Sequence, residues 1–138
     1  MAKDRILIVD DERDMRELLE IMLRKEGYEP VGLPSASLAL DRLKNEEFDL
    51  VISDVRMPVM DGLDFLKALR EGNPEALVIM ITAYASVETA IEAMKAGAHD
   101  YVIKGNLKRL VPAVERELRE AEGRRRQRTV EQALRQSE

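Results

Sequence analysis

The chain predicts an α/β fold: five short parallel strands in the order 2-1-3-4-5, with helices on both faces of the sheet. Three observations point to it. Apolar runs of four to six residues alternate with stretches of helical period along most of the sequence. The runs are rich in Val, Ile and Leu without strict alternation, as in parallel strands buried on both faces. The second run contains Pro30 and Gly32. A proline belongs on an edge strand, which suits a sheet whose second strand lies outermost.

The elements follow in order. Arg5 to Val9 (RILIV) is a buried strand. Met15, Leu18, Leu19 and Met22 recur at helical spacing on one face of a first helix, and Gly27 is placed to cap its C-terminus. Tyr28 to Leu33 is the edge strand. Ser35 caps a second helix whose inner face carries Ala36, Ala39, Leu40 and Leu43. Phe48 to Ser53 (FDLVIS) is a third strand. A loop with Pro58 and Gly62 leads to a helix bearing Leu63, Leu66 and Leu69, ended by Gly72 and Pro74. Ala76 to Ile81 (ALVIMI) is a fourth strand, and Val87, Ala90, Ile91 and Met94 mark a fourth helix closed by Gly97. Tyr101 to Ile103 is a short fifth strand. Leu107 opens a last helix with Leu110, Val111, Val114, Leu118 and Ala121 on one side. These elements make the flavodoxin-like arrangement.

Composition narrows the functional classes. The 138 residues suffice for one domain with a real core, and 45% are hydrophobic. A net charge of −5 argues against broad nucleic-acid affinity. The absence of cysteine excludes disulfides and thiolate metal sites. No apolar run approaches the roughly 18–20 residues that span a bilayer, and the N-terminus lacks the features of a signal peptide. A cytoplasmic location without membrane partners is the expectation.

In open parallel sheets ligands bind outside the carboxyl ends of the strands, near the point where strand order reverses. Asp10 and Asp11 follow the first strand, Asp54 the third, Thr82 the fourth and Lys104 the fifth. Strands one and three are neighbours in the predicted order, so three carboxylates converge. They repel unless a cation joins them, and oxygen-only ligands completed by water and phosphate point to Mg2+ over calcium. Lys104 brings a positive charge and Thr82 a hydroxyl, the groups that would stabilise a phosphoryl group on a carboxylate. Singly, each residue has a plainer role: Asp10 and Asp11 as helix-end acids, Asp54 as a turn former, Thr82 as a cap, Lys104 as a solvated lysine. Their conjunction at matching strand ends favours the site.

IVDDE (Ile8 to Glu12), SDVRMPVMDG (Ser53 to Gly62), MITAYAS (Met80 to Ser86) and AGAHDYVIK (Ala96 to Lys104) resemble the CheY-like receiver domain of two-component response regulators. The likeness runs from about Asp4 to Glu120, and its middle part is most similar to NtrC-type receivers. The resemblance implies that Asp54 is the phosphoacceptor, taking its phosphoryl group from a sensor histidine kinase or phosphotransfer protein. It implies Mg2+ held by Asp10, Asp11, Asp54 and the backbone carbonyl of Arg56, with Lys104 on the phosphoryl oxygens. Thr82 and Tyr101 would form the switch, Tyr101 turning inward behind Thr82. Arg56 and Tyr84 would tune the phosphorylation lifetime. Such a domain is a signalling phosphoacceptor that assists its own phosphorylation and dephosphorylation, not a turnover enzyme. One departure stands out: receivers usually carry a cis proline after the lysine, whereas Gly105 and Asn106 follow Lys104. A non-proline cis bond costs about 3 kcal/mol, which favours a trans peptide here.

The receiver is expected over residues 1–120, with 121–138 a helical linker toward an output domain in the parent chain. Helix-favouring residues dominate that stretch. Arg124 to Arg128 reads as a solvated face and not as a nucleic-acid contact, since no recognition motif accompanies it. The ending ALRQSE resembles a connector into a PAS sensor domain, and such a helix is able to form a homodimer. His99 is expected at the surface. Two rival readings remain: a docking module that needs no phosphate, and a Mg2+-dependent phosphohydrolase. The hydrolase lacks its usual Asp-x-Asp at the nucleophile, where Asp54-Val55-Arg56 stands, and room for a cap.

Overall fold

The computed structural model describes residues 3–84 and 86–137. Strands β1 (Arg5–Val9), β2 (Glu29–Leu33), β3 (Leu50–Asp54), β4 (Val78–Thr82) and β5 (Asp100–Ile103) alternate with helices. These are α1 (Arg13–Lys25), α2 (Ala36–Leu43), α3 (Gly62–Gly72), α4 (Val87–Lys95) and α5 (Leu110–Gln136). The sheet is parallel, in the order β2-β1-β3-β4-β5. The proline-bearing strand is at the edge, as expected.

Alternate residues of each strand supply two cores. Ile6, Ile8, Leu50, Ile52, Ile79 and Ile81 face Leu19 and Leu23 of α1 and Leu110 and Val114 of α5. Leu7, Val9, Val51, Val78 and Met80 face α2, α3 and the buried Ala93 of α4. The period of two along a strand thus coats both sides of one sheet.

Local signals act where they stand. Gly27, at φ 89°, closes α1 in a Schellman arrangement: its N–H donates to the Arg24 carbonyl and that of Tyr28 to Leu23. Ser35 Oγ accepts from the Leu38 N–H at 3.2 Å, and the Asp61 carboxylate from Asp64 N–H at 2.9 Å.

Several expectations are corrected. Leu18 is exposed, and Leu23 takes its place in the core. The sheet meets the side of α1 centred on Leu19 and Leu23, and Leu18 lies about 100° round the helix from its neighbour Leu19. β3 starts at Leu50 and takes in Asp54; β4 starts at Val78 and takes in Thr82. Pairing, not composition, sets these limits, since Asp54 lies opposite Ile81 and Thr82 opposite Ile103. The last helix does not begin at Leu107. Lys104–Arg109 form a 3-10 helix, broken by the non-helical dihedrals of Asn106, and α5 begins at Leu110. The periodic stripe of α4 turns outward, with Val87, Ile91 and Met94 all exposed. His99 is half-buried and not a surface residue. Its Nδ1 accepts from the Val78 N–H at 3.3 Å and lies 3.3 Å from Arg70 Nη2. No peptide bond among the described residues is cis, so Lys104–Gly105 is trans.

Candidate functional site

Parallel pairing aligns the carboxyl ends of β1, β3, β4 and β5, and the polar residues there share one cleft. Asp10, just past β1, is fully buried; Asp54 and Thr82, the last residues of β3 and β4, are 4% and 3% exposed. Lys104, just past β5, reaches across to the two acids. Its ammonium donates to Asp54 Oδ2 at 3.0 Å, lies 3.0 Å from Asp10 Oδ2, and stands 3.7 Å from Glu12 Oε1.

Each carboxylate is anchored on one oxygen. The Glu12 N–H donates to Asp10 Oδ1 at 2.9 Å, and the Arg56 N–H to Asp54 Oδ1 at 3.2 Å. The second oxygens face inward. Asp10 Oδ2 is at ion-pair distance from Lys104 but receives no hydrogen bond, although it is buried. Such an atom is costly without a partner.

Burial and neighbouring charge together set the titration of the pair. Burial pushes the Asp54 carboxyl above its ordinary value; the Lys104 hydrogen bond pulls it back, while the neighbouring Asp10 charge pushes it up again. For Lys104, burial works against the charged form, but its polar contacts with Asp54 and Asp10 outweigh that and raise its pKa.

Asp10, Glu12 and Asp54 each offer an oxygen, and these atoms lie within 4.8 Å of one another. Against one ammonium these three carboxylates leave an excess of two negative charges. An all-oxygen set with an orphaned buried oxygen and that excess suits a hard divalent cation of the magnesium type. Glu12 is the residue that sequence reasoning passed over. Asp11, expected there, is exposed and outside the cluster. The loop path is the reason: Asp11 lies at a bend, while Glu12, at the start of α1, donates its N–H back to Asp10 and so stays beside it. A third acid directly after Asp10-Asp11 was the available signal.

Around this centre the loops interlock. The Thr82 hydroxyl accepts from the Tyr84 N–H at 3.3 Å, and the Tyr101 hydroxyl donates to the Tyr84 carbonyl at 3.3 Å. The Tyr101 ring is half-buried. The Arg56 guanidinium lies 5.6 Å from the centre of the Tyr84 ring, a cation–π contact between the loops after β3 and β4. Gly62 lets α3 start directly under the site: a Cβ there would lie 2.1 Å from the Asp54 carbonyl oxygen. Between them Val59 has φ 70°, and the Met60 N–H donates to the Pro58 carbonyl at 2.8 Å, a tight γ-turn with a fully exposed side chain.

A doubly covered parallel sheet with buried acids, a hydroxyl and a lysine at adjoining strand ends is the architecture of a phosphate-handling signalling domain. The family model for the response regulator receiver domain matches residues 6–115, and the chain belongs to that family. It is a receiver domain of the two-component response regulators. It is 43% identical over 115 residues to the response regulator protein PilR of Pseudomonas aeruginosa, covering 80% of this chain and 26% of PilR. The chain thus spans about a quarter of that relative's length. Among solved structures, the CheY-like receiver domain protein of Methanospirillum hungatei superposes with a TM-score of 0.83 at 33% identity, covering 89% of this chain and 99% of that one. The response regulator TrrA of Thermotoga maritima, in complex with Mg2+ and BeF, superposes with a TM-score of 0.75 at 36% identity, covering 82% and 97%.

Proposed function

We propose that Asp54 accepts a phosphoryl group from the phosphohistidine of a sensor kinase or phosphotransfer protein, with magnesium as the required cofactor. The observation that carries this reading is the buried Asp54 carboxylate, hydrogen-bonded to Lys104 and facing the orphaned oxygen of Asp10. In the transfer, an Asp54 carboxylate oxygen forms a bond to phosphorus as the phosphorus–nitrogen bond breaks. The imidazole leaves with that electron pair, and the product is an acyl phosphate on Asp54. Lys104 then moves its contact from the carboxylate to a phosphoryl oxygen, and the Thr82 hydroxyl donates to another. Asp10, Asp11, Asp54 and the Arg56 carbonyl would hold the magnesium ion, Asp11 turning in from its exposed place in the β1–α1 loop beside Glu12, and the ion would offset charge on the attacking and transferred oxygens.

The same geometry suggests how occupancy is read out. Thr82 now accepts from Tyr84, and Tyr101 donates to the same residue. Drawing Thr82 toward the phosphoryl group breaks the first of these contacts and frees Tyr101 to turn inward. Arg56 and Tyr84, in cation–π contact between the loops after β3 and β4, would limit water access to the acceptor and so set the lifetime of the acyl phosphate. Residues 1–120 are the receiver in this reading. Residues 121–138 are a helical linker that carries the change to an output domain, directly or through a homodimer. The domain acts in the cytoplasm without a membrane or nucleic-acid contact of its own and is not a turnover enzyme.

Incubation with magnesium and acetyl phosphate, followed by intact-mass measurement, tests the proposal. One phosphate should be gained by the parent chain and none by Asp54→Asn. Equal uptake by the variant would remove Asp54 from the role. A parent chain that takes up nothing and is unmoved by beryllofluoride would be a phosphate-independent docking module.

A further inference from the structure

Arg16 is a cation of α1 whose side chain reaches back to the β1–α1 loop, behind the acidic cleft. Its Nη1 donates to the backbone carbonyl of Asp10 at 2.7 Å, a charge-assisted contact in a half-buried setting. Three features make it more than a surface arginine. The bond spans the β1–α1 loop and ties the first turns of α1 to the peptide that joins Asp10 to Asp11. The same short loop carries the Glu12 N–H bond to Asp10 Oδ1. Finally, the path of the side chain passes over Gly32 of β2: a Cβ at Gly32 would lie 3.6 Å from Arg16 Cδ and 2.2 Å from Glu20 Oε1. The missing side chain on the edge strand therefore leaves room for Arg16 and Glu20 beside the sheet.

We propose that Arg16 is a positioning residue for the divalent cation, holding the Asp10 carbonyl so that the acids of the β1–α1 loop are set before the ion arrives. The inference rests on the magnesium-dependent reading above. Its physical basis is preorganisation. The loop brings like charges together, and without a fixed backbone those carboxylates spread apart into solvent. Arg16 removes that freedom from behind, and its own charge eases the crowding of acids without occupying the cleft. It touches neither Asp54 nor Lys104 among the contacts of the described residues, so it acts through the loop and not on the transferred group.

The test measures magnesium affinity apart from chemistry, by calorimetric titration of the full chain with Mg2+ and no phosphodonor. Arg16→Met should weaken the Mg2+ dissociation constant by about fivefold or more, the effect of losing one charge-assisted hydrogen bond. At saturating Mg2+ its rate of phosphate uptake from acetyl phosphate should return to within about twofold of the parent, because the groups on the phosphoryl path are untouched. Should the methionine variant fail to fold, Arg16→Gln, whose side chain ends two bonds short of the guanidinium's terminal nitrogens, is expected to shift the constant in the same direction. A parent chain that binds Mg2+ and takes up phosphate, beside variants of unchanged Mg2+ affinity, overturns the role of Arg16 alone. So does a rate that stays low at saturating Mg2+. A parent that binds no Mg2+ overturns instead the reading on which this one rests.

Discussion

His99 is the single histidine of the chain, and its environment sets a pH dependence with a definite sign. Burial, then the charges of Arg70 and Arg124, hold its pKa below the ordinary value, with Glu120 opposing them. Nδ1 serves as acceptor for Val78 N–H, so the neutral ring carries its proton on Nε2. Because the folded value is depressed, the unfolded chain takes the proton first as pH falls. This contribution to stability is complete above the unfolded pKa of about 6.5 and is lost as pH drops through it toward the folded value. Melting temperatures at about pH 7.5 and about pH 5.5 should therefore fall less for His99→Gln than for the parent. Identical falls would show that the ring does not titrate with unfolding. That His99 is packed at all was hidden in the sequence. Its partner Arg70 lies 29 positions away, and the Arg70 guanidinium also donates to the carbonyls of Pro74, Ala76 and Gly97. An arginine in the last turn of a helix reads as a dipole complement, and nothing nearby betrays that it clamps the α3–β4 loop to the α4–β5 loop.

The turn between β3 and α3 shows how an element boundary serves the site. Gly62 is the first residue of α3, and its N–H donates to the Val55 carbonyl at 2.8 Å. The close approach places the helix start against the backbone of the acceptor strand. In Gly62→Ala the added carbon would meet the Asp54 carbonyl, the Val55 Cα and the Met80 methyl at 2.1 Å, 2.8 Å and 2.8 Å. Two of these are backbone atoms and cannot swing aside. The substitution should cost about 2 kcal/mol in a urea titration, with a lesser uptake of phosphate from a displaced Asp54. A change within about 0.5 kcal/mol would mean that the loop yields. Other boundaries were plain in the chain: Ser35 before an amphipathic run, Gly27 after one, Pro30 in a weak strand. Each is a local signal with a local effect. The start of α5 was not: the apolar spacing places it at Leu107, but Lys104–Arg109 wind into a 3-10 turn broken at Asn106, after Lys104 has left the sheet to reach Asp54.

At the largest scale, α5 outgrows the domain. It runs for 27 residues, about 40 Å at the helical rise, and every described residue after Ala121 is exposed. One ion pair, Arg128 to Glu75 at 2.6 Å, links that stretch to the α3–β4 loop, and both side chains are solvent-facing. Exposed pairs contribute little, so removing residues 122–138 should change unfolding free energy by no more than about 1 kcal/mol. Helical ellipticity should fall with the truncation. A larger loss of stability would reveal packing that this arrangement lacks.

Strand order, the two-sided core and the meeting of Asp10, Asp54 and Lys104 were legible in the linear chain. They follow from short-range periodicity and from the rule that parallel strands present their carboxyl ends together. Folding chose what periodicity leaves open. It brought Glu12 within reach of Asp10 and Asp54, and it chose Leu23 over Leu18 in the core, the outward turn of the α4 stripe, and the reach of Arg16 across Gly32. Each of these depends on the angle at which one element leaves or meets another. That angle is fixed by packing between residues far apart along the chain.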